Sequence, residues 1–236
     1  MPKTVTDGEG ELNFLDQLAR TTGRRTFLHW SGLTLAVVAL GCSDDDDDLG
    51  TGPGTTDVNL GSGDTGVLNY AYALEQLEAA FYTQVVASFY AGATADEQTL
   101  LTDIRNHEVI HRDFLKAGLG ASAIADLQVD FTNVNFADRA SVLGAARTFE
   151  DLGVSAYNGA GQLLTTPANL VNAGRIVSVE ARHAAAIRDL LVANSFAGSD
   201  VIDANGLDVV RTPGEVLPLA DPYVTTTINA SGLPTA

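Results

Sequence analysis

Apolar side chains return every three or four residues in several long runs of this chain, the spacing of one helix face and not the alternation of a strand. The first run takes in Leu68, Tyr72, Leu74, Leu77, Phe81 and Val85 and predicts a helix from Asp64 or Thr65 to about Tyr90, closed by Gly92. Thr94-Ala95-Asp96-Glu97 is a capping-box sequence, so a second helix starts there, carries Leu100, Leu101, Ile104 and Leu115, and stops at Gly118. A third is expected over roughly 140–164, with Val142, Leu143, Phe149 and Val154 on its apolar side. Thr166-Pro167 supplies an N-cap followed by proline at the first helical position, opening a fourth that runs to about Asn194. Residues 119–137, between the second and third helices, have few helical signals. At up to ~3.3 Å per residue they are long enough to cross the whole length of a bundle.

The polar positions inside these helices are as ordered as the apolar ones. Glu108 and His111 form a Glu-x-x-His motif, and Glu180 and His183 form another. Residues three apart share a helix face, so each motif presents a carboxylate and an imidazole in one direction. Upstream of each motif stands a lone Glu with a Tyr seven residues later, Glu75 with Tyr82 and Glu150 with Tyr157. The step from Glu75 to Glu150 is 75 residues and that from Glu108 to Glu180 is 72, so the set reads as a tandem repeat of two helical hairpins. A single Glu-x-x-His means little, because Glu favours helices and His often sits on a helix face without a ligand. The chain, however, has only four His and nine Glu against 21 Asp, and four of those nine Glu fall where the pattern needs them.

This arrangement resembles the ferritin-like di-iron carboxylate proteins over roughly residues 65–197. The resemblance implies an all-α, ferritin-like four-helix bundle with a long crossover between its second and third helices. It further implies two divalent metal ions, iron or manganese, with zinc also compatible. Glu75 and Glu150 would be terminal ligands, Glu108 and Glu180 bridging ligands, and His111 and His183 one imidazole per metal. Tyr82 and Tyr157 would orient ligands by hydrogen bonding; read from the residues alone, they serve equally well as packed core tyrosines. Glu78 is a rival to Glu75, and the repeated seven-residue spacing to Tyr favours Glu75. His107 points about 100° around the helix from Glu108 and is read as a surface residue or one that supports a ligand. Ferroxidase, peroxidase and manganese-catalase-like chemistry all suit such a site, and so does a non-enzymatic bundle of the cell envelope with structural metal or none. No Cys-rich iron module accompanies the bundle, which weakens a reductase-fed peroxidase reading.

Outside the helices, composition speaks to location. Arg24 and Arg25, followed by the short apolar stretch Ser31–Gly41, resemble a twin-arginine export signal, although His29 stands where Lys is common. Cys42 is the only cysteine, so no intrachain disulfide forms. Its setting, Ala39-Leu40-Gly41-Cys42, resembles a lipid-attachment site with Ala39 in place of the usual Leu. Residues 1–42 are therefore expected to be a signal segment and 43–64 a solvated tether rich in Asp, Gly and Thr. A Pro-containing tail, 198–236, follows the bundle; around Arg211–Pro218 it loosely resembles the ending of a desiccation-related branch of the superfamily. That tail and a lipid anchor argue against a 24-subunit cage, while smaller oligomers remain compatible. The net charge of −17 resides in the part after residue 41, since residues 1–41 carry four basic and four acidic groups. Such a surface excludes nucleic acid as a partner and limits membrane association to the signal or lipid anchor. The expected location is the periplasm or cell envelope, and a small-molecule oxidant is the expected partner.

Overall fold

A computed structural model of the chain describes residues 57–235. Arg24, Arg25, Cys42 and most of the tether lie outside the described residues. Four long helices dominate: α1 (Gly63–Ala87), α2 (Ala95–Leu119), α3 (Arg139–Gly161) and α4 (Pro167–Leu191). A short α5 (Pro213–Ala220) follows in the tail. The fold is an all-α bundle in which α1 lies along α2 and α3 along α4, with α1 and α3 bringing the two hairpins together.

The helix starts follow local chemistry. The Thr94–Glu97 capping box is formed, with the Glu97 N–H donating to Thr94 Oγ1 at 3.2 Å and the Thr94 N–H to Glu97 Oε2 at 2.8 Å. Thr166 does occupy the N-cap position of α4, but its side chain makes no cap bond. The orphan donors there are taken by Asp64 of α1, which accepts from the Thr165 and Thr166 N–H groups at 2.8 and 2.9 Å. One carboxylate in the first turn of its own helix thus fastens the start of another, tying the two hairpins together at one end.

Burial is uneven among the helices, and that unevenness positions the site. α1 and α3 are buried on nearly every side, whereas α2 and α4 each bury one stripe. The cover over α1 and α3 comes from the crossover and the C-terminal tail. Asn69 and Gln76, two turns apart on α1, peg the crossover by its backbone. Asn69 donates to the Ser122 carbonyl at 2.9 Å and accepts from the Ile124 N–H at 3.0 Å, and Gln76 accepts from the Leu127 N–H at 2.7 Å. Phe81 of α1 and Phe149 of α3 pack edge to face at 4.9 Å, with Phe131 and Phe136 of the crossover against Phe81 and Tyr223 of the tail against Phe149. Each buried ring of this kind stabilises the fold by about 1.5–3 kcal/mol through area removed from water.

Two regions differ from the sequence reading. Val58 and Leu60, inside the stretch expected to be solvated tether, are buried, and the strand β1 (Val58–Asn59) pairs in parallel with β2 (Ile228–Asn229) near the C-terminus. A run poor in apolar residues hides the two that matter. The tail, expected to be irregular, contains α5, which starts with its own Thr212–Glu215 capping box and has Pro213 in its first turn.

Candidate metal centre

The two Glu-x-x-His motifs meet at mid-bundle. Glu75, Glu108, His111 and Glu180 each offer a ligand atom within 4.8 Å of the others, and so do Glu108, Glu150, Glu180 and His183. The two groups share Glu108 and Glu180, so those carboxylates lie between two adjacent positions. Glu75 with His111 closes one end and Glu150 with His183 the other. His111 Nδ1 lies 2.8 Å from Glu180 Oε1 and 3.6 Å from both Glu75 Oε2 and Glu108 Oε2. His183 Nδ1 lies 2.8 Å from Glu108 Oε1, 3.2 Å from Glu180 Oε2 and 3.5 Å from Glu150 Oε2.

The tyrosines hold the terminal carboxylates crosswise. Tyr82 donates to Glu150 Oε1 at 2.6 Å, and Tyr157 donates to Glu75 Oε1 at 2.5 Å. That leaves Oε2 of each carboxylate facing the cluster. Five carboxylate oxygens, Glu75 Oε2, both of Glu108, Glu150 Oε2 and Glu180 Oε1, are buried without a well-formed hydrogen bond, as is His111 Nδ1. A buried carboxylate oxygen without a well-formed hydrogen bond is costly, and five converging on one place require positive charge there.

Without metal, protons supply that charge. Burial works against an imidazolium at His111 and at His183, but the close carboxylates of Glu108, Glu180 and Glu75 outweigh it for His111, and those of Glu108, Glu150 and Glu180 for His183. Both are pushed up to about 12. Burial raises Glu150 to about 8, and burial with the Glu180 charge raises Glu75 well above the carboxylate range. Glu108 is buried too, yet the two histidines beside it bring it down to about 2. Two divalent ions carry four positive charges, equal to the four carboxylates of the cluster. The residues present therefore fit a pair of divalent cations, and a mixed oxygen and imidazole donor set suits iron or manganese.

Glu78 stands apart from the ligand set although it is buried. Its carboxyl rests against Gly153, where a methyl group would come within 2.9 Å of Glu78 Oε1. Burial, then the charges of Glu108, Glu180, Glu75 and Glu150, raise it well above the carboxylate range. The 75-residue repeat places Gly153 at the position equivalent to Glu78, a signal legible in the sequence once the repeat is used as a register. His107 is exposed, yet its Nδ1 lies 2.9 Å from His183 Nε2.

Fold and site together define an all-α bundle with a buried carboxylate and histidine cluster able to hold metal. The model of the ferritin-like domain family matches residues 63–193, and the chain belongs to that family. No curated protein matches the chain.

Proposed function

We propose that this is an exported ferritin-like protein of the cell envelope that carries two iron or manganese ions and uses them on dioxygen or hydrogen peroxide. The observation that carries the reading is the convergence of four buried carboxylates and two imidazoles on two adjacent four-residue groups, with five of the carboxylate oxygens lacking a well-formed hydrogen bond. Glu75, Glu108, His111 and Glu180 would hold one redox-active cation and Glu108, Glu150, Glu180 and His183 the other, and such a pair would supply two electrons to one oxidant.

The chain's own residues account for the rest. Glu108 and Glu180 hold both positions at a fixed separation, and Tyr82 and Tyr157 keep the terminal carboxylates from rotating away. The aromatic cluster around Phe81 and Phe149 keeps water from the α1 and α3 side. Side-chain exposure is 12% for His111 and no more than 1% for Glu75, Glu108 and Glu180, so a small oxidant reaches the centre on the side of α2 and α4. Export is supported by Arg24-Arg25 and its apolar stretch, and anchoring by Cys42 in its small-residue setting. A role in stress or desiccation tolerance rests on the tail resemblance.

The full chain, expressed with iron or with manganese, tests the reading by metal analysis, ferrous-dependent oxygen consumption and peroxide decay. About two ions per chain, with turnover lost in Glu108→Ala, is the expected result. Two ions with no turnover would convert the centre into a structural pin, and no bound metal would overturn the reading. Fusing residues 1–45 to a reporter tests export; undiminished export after replacing Arg24 and Arg25 by Lys counts against the twin-arginine route.

A further inference from the structure

The two halves of the centre are related by the repeat, but they are not equal. His183 has its Nε2 2.9 Å from Nδ1 of His107. The ring centres are 5.1 Å apart and the planes within 8° of parallel. That separation is close to the nitrogen–nitrogen distance plus two ring radii, so the rings lie edge to edge in nearly one plane. The bond between them is consequently close to in line, its strongest geometry. His111 has no such support. Stepping 72 residues from His107 reaches Val179, whose side chain offers no polar atom, and no hydrogen bond reaches His111 Nε2 among the described residues.

The consequence follows from imidazole chemistry. In a neutral imidazole one nitrogen carries the proton and the other the lone pair. His183 Nδ1 faces Glu108, Glu150 and Glu180, so a cation held there needs the proton on Nε2. His107 Nδ1 is placed to accept that Nε2–H, which fixes both the tautomer and the ring orientation. Nothing comparable selects the tautomer of His111.

We propose that His107 is the positioning residue of the His183 half, and that it makes the cation position formed by Glu108, Glu150, Glu180 and His183 the tighter of the two. The inference rests on the dinuclear reading above. A partner of this kind changes metal affinity by about 10- to 100-fold.

The test is a titration of the metal-stripped full chain with Mn(II), followed by calorimetry and by electron paramagnetic resonance, which separates single ions from coupled pairs. Wild type is expected to bind two ions in two distinguishable steps. His107→Phe keeps a ring but loses the acceptor, and should weaken the tighter step about 10- to 100-fold while leaving the weaker one in place. His107→Asn, whose side-chain oxygen falls near the former Nδ1, should restore much of the difference. A wild type with two equal steps, or a His107→Phe variant with both steps unchanged or equally weakened, overturns the inference. A wild type that binds no Mn(II) overturns the dinuclear reading itself, so the two failures are distinguishable. Should His107→Phe fail to fold, a long-range proton–nitrogen spectrum of the Zn(II)-loaded wild type decides. A coupling across the hydrogen bond from the His183 Nε2–H to His107 Nδ1 supports the assignment, and a proton on His107 Nδ1 overturns it.

Discussion

Tyr157 donates to Glu75 from the opposite half of the repeat, at 2.5 Å, while Tyr82 returns the contact to Glu150 at 2.6 Å. The pairs 75 with 157 and 82 with 150 run in opposite senses, so α1 and α3 pass each other antiparallel at this level. Each hairpin thereby orients the other's terminal carboxylate, and neither half makes a finished metal position alone. Tyr157→Phe should weaken the cation position at Glu75 and His111 by about 10- to 100-fold, and Tyr82→Phe should weaken the one at Glu150 and His183 by a similar factor. Stepwise Mn(II) titration checks this. Loss of both steps in either single variant would mean that the tyrosines serve packing.

Sharing of ligands makes a second prediction. Glu108 belongs to both four-residue groups and Glu75 to only one. Glu108→Gln should therefore remove or greatly weaken both ions, whereas Glu75→Gln should leave close to one per chain. Metal analysis after dialysis gives the count, and equal loss in the two variants would contradict the assignment of Glu108 as the shared residue.

Acidity should act in opposite directions on the stripped and loaded protein. Glu150, ordinarily near 4.5, is raised to about 8 in the fold, so its contribution to stability is complete below 4.5 and is lost as pH climbs towards 8. The histidines, ordinarily near 6.5, are raised to about 12, and their contribution begins to fall above 6.5. Glu108, lowered to about 2, loses its contribution only in acid below 4.5 and does not enter this window. Glu150, His111 and His183 thus carry the same sign between pH 5 and 9, while His107, held down by burial and by the charges of His183 and His111, works the other way. With three groups against one, the chelated protein should melt at progressively lower temperature across that range. Metal needs the ligands deprotonated, so the stabilisation gained from added Mn(II) should grow over the same interval. Each kcal/mol corresponds to about 2–4 °C in a protein of this size. A chelated protein more stable at pH 9 than at pH 5 would refute the electrostatic account.

Much of this was legible from spacing. The apolar period and two caps located the long helices to within a few residues, because helix starts and faces are local properties. The buried carboxylate and histidine cluster was legible because i to i+3 and i to i+7 spacings fix a shared face without tertiary information. What depends on the meeting of distant segments was not. Asp64 fastens the start of a helix about 100 residues away, the crossing of the tyrosines needs the antiparallel approach of α1 and α3, and the burial of Leu60 depends on a strand partner at residues 228–229. His107 could be placed on α2 but not against His183, since nothing local to α2 specifies what α4 brings.

The tail provides the last prediction, because it lies on α3 at a point where only a glycine fits. A methyl group at Gly159 would collide with the Arg211 carbonyl oxygen, a backbone atom that cannot swing aside. Arg211 is held there twice, its N–H donating to the Ser155 carbonyl at 3.1 Å and its guanidinium to Ser155 Oγ at 2.8 Å. Gly159→Ala must shift the tail or α3, at a cost of about 1–3 kcal/mol. Gly144, on the same helix, has nothing within 4 Å of where a methyl group would stand, and Gly144→Ala should gain about 0.5–1 kcal/mol through helix propensity. Thermal melting of the two variants should therefore move in opposite directions. The site residues lie on the helices and not on the tail, so Gly159→Ala should keep its metal content while the tail becomes more open to proteolysis. A Gly159→Ala protein that melts normally and resists protease would show that the tail is not clamped to α3 at this point.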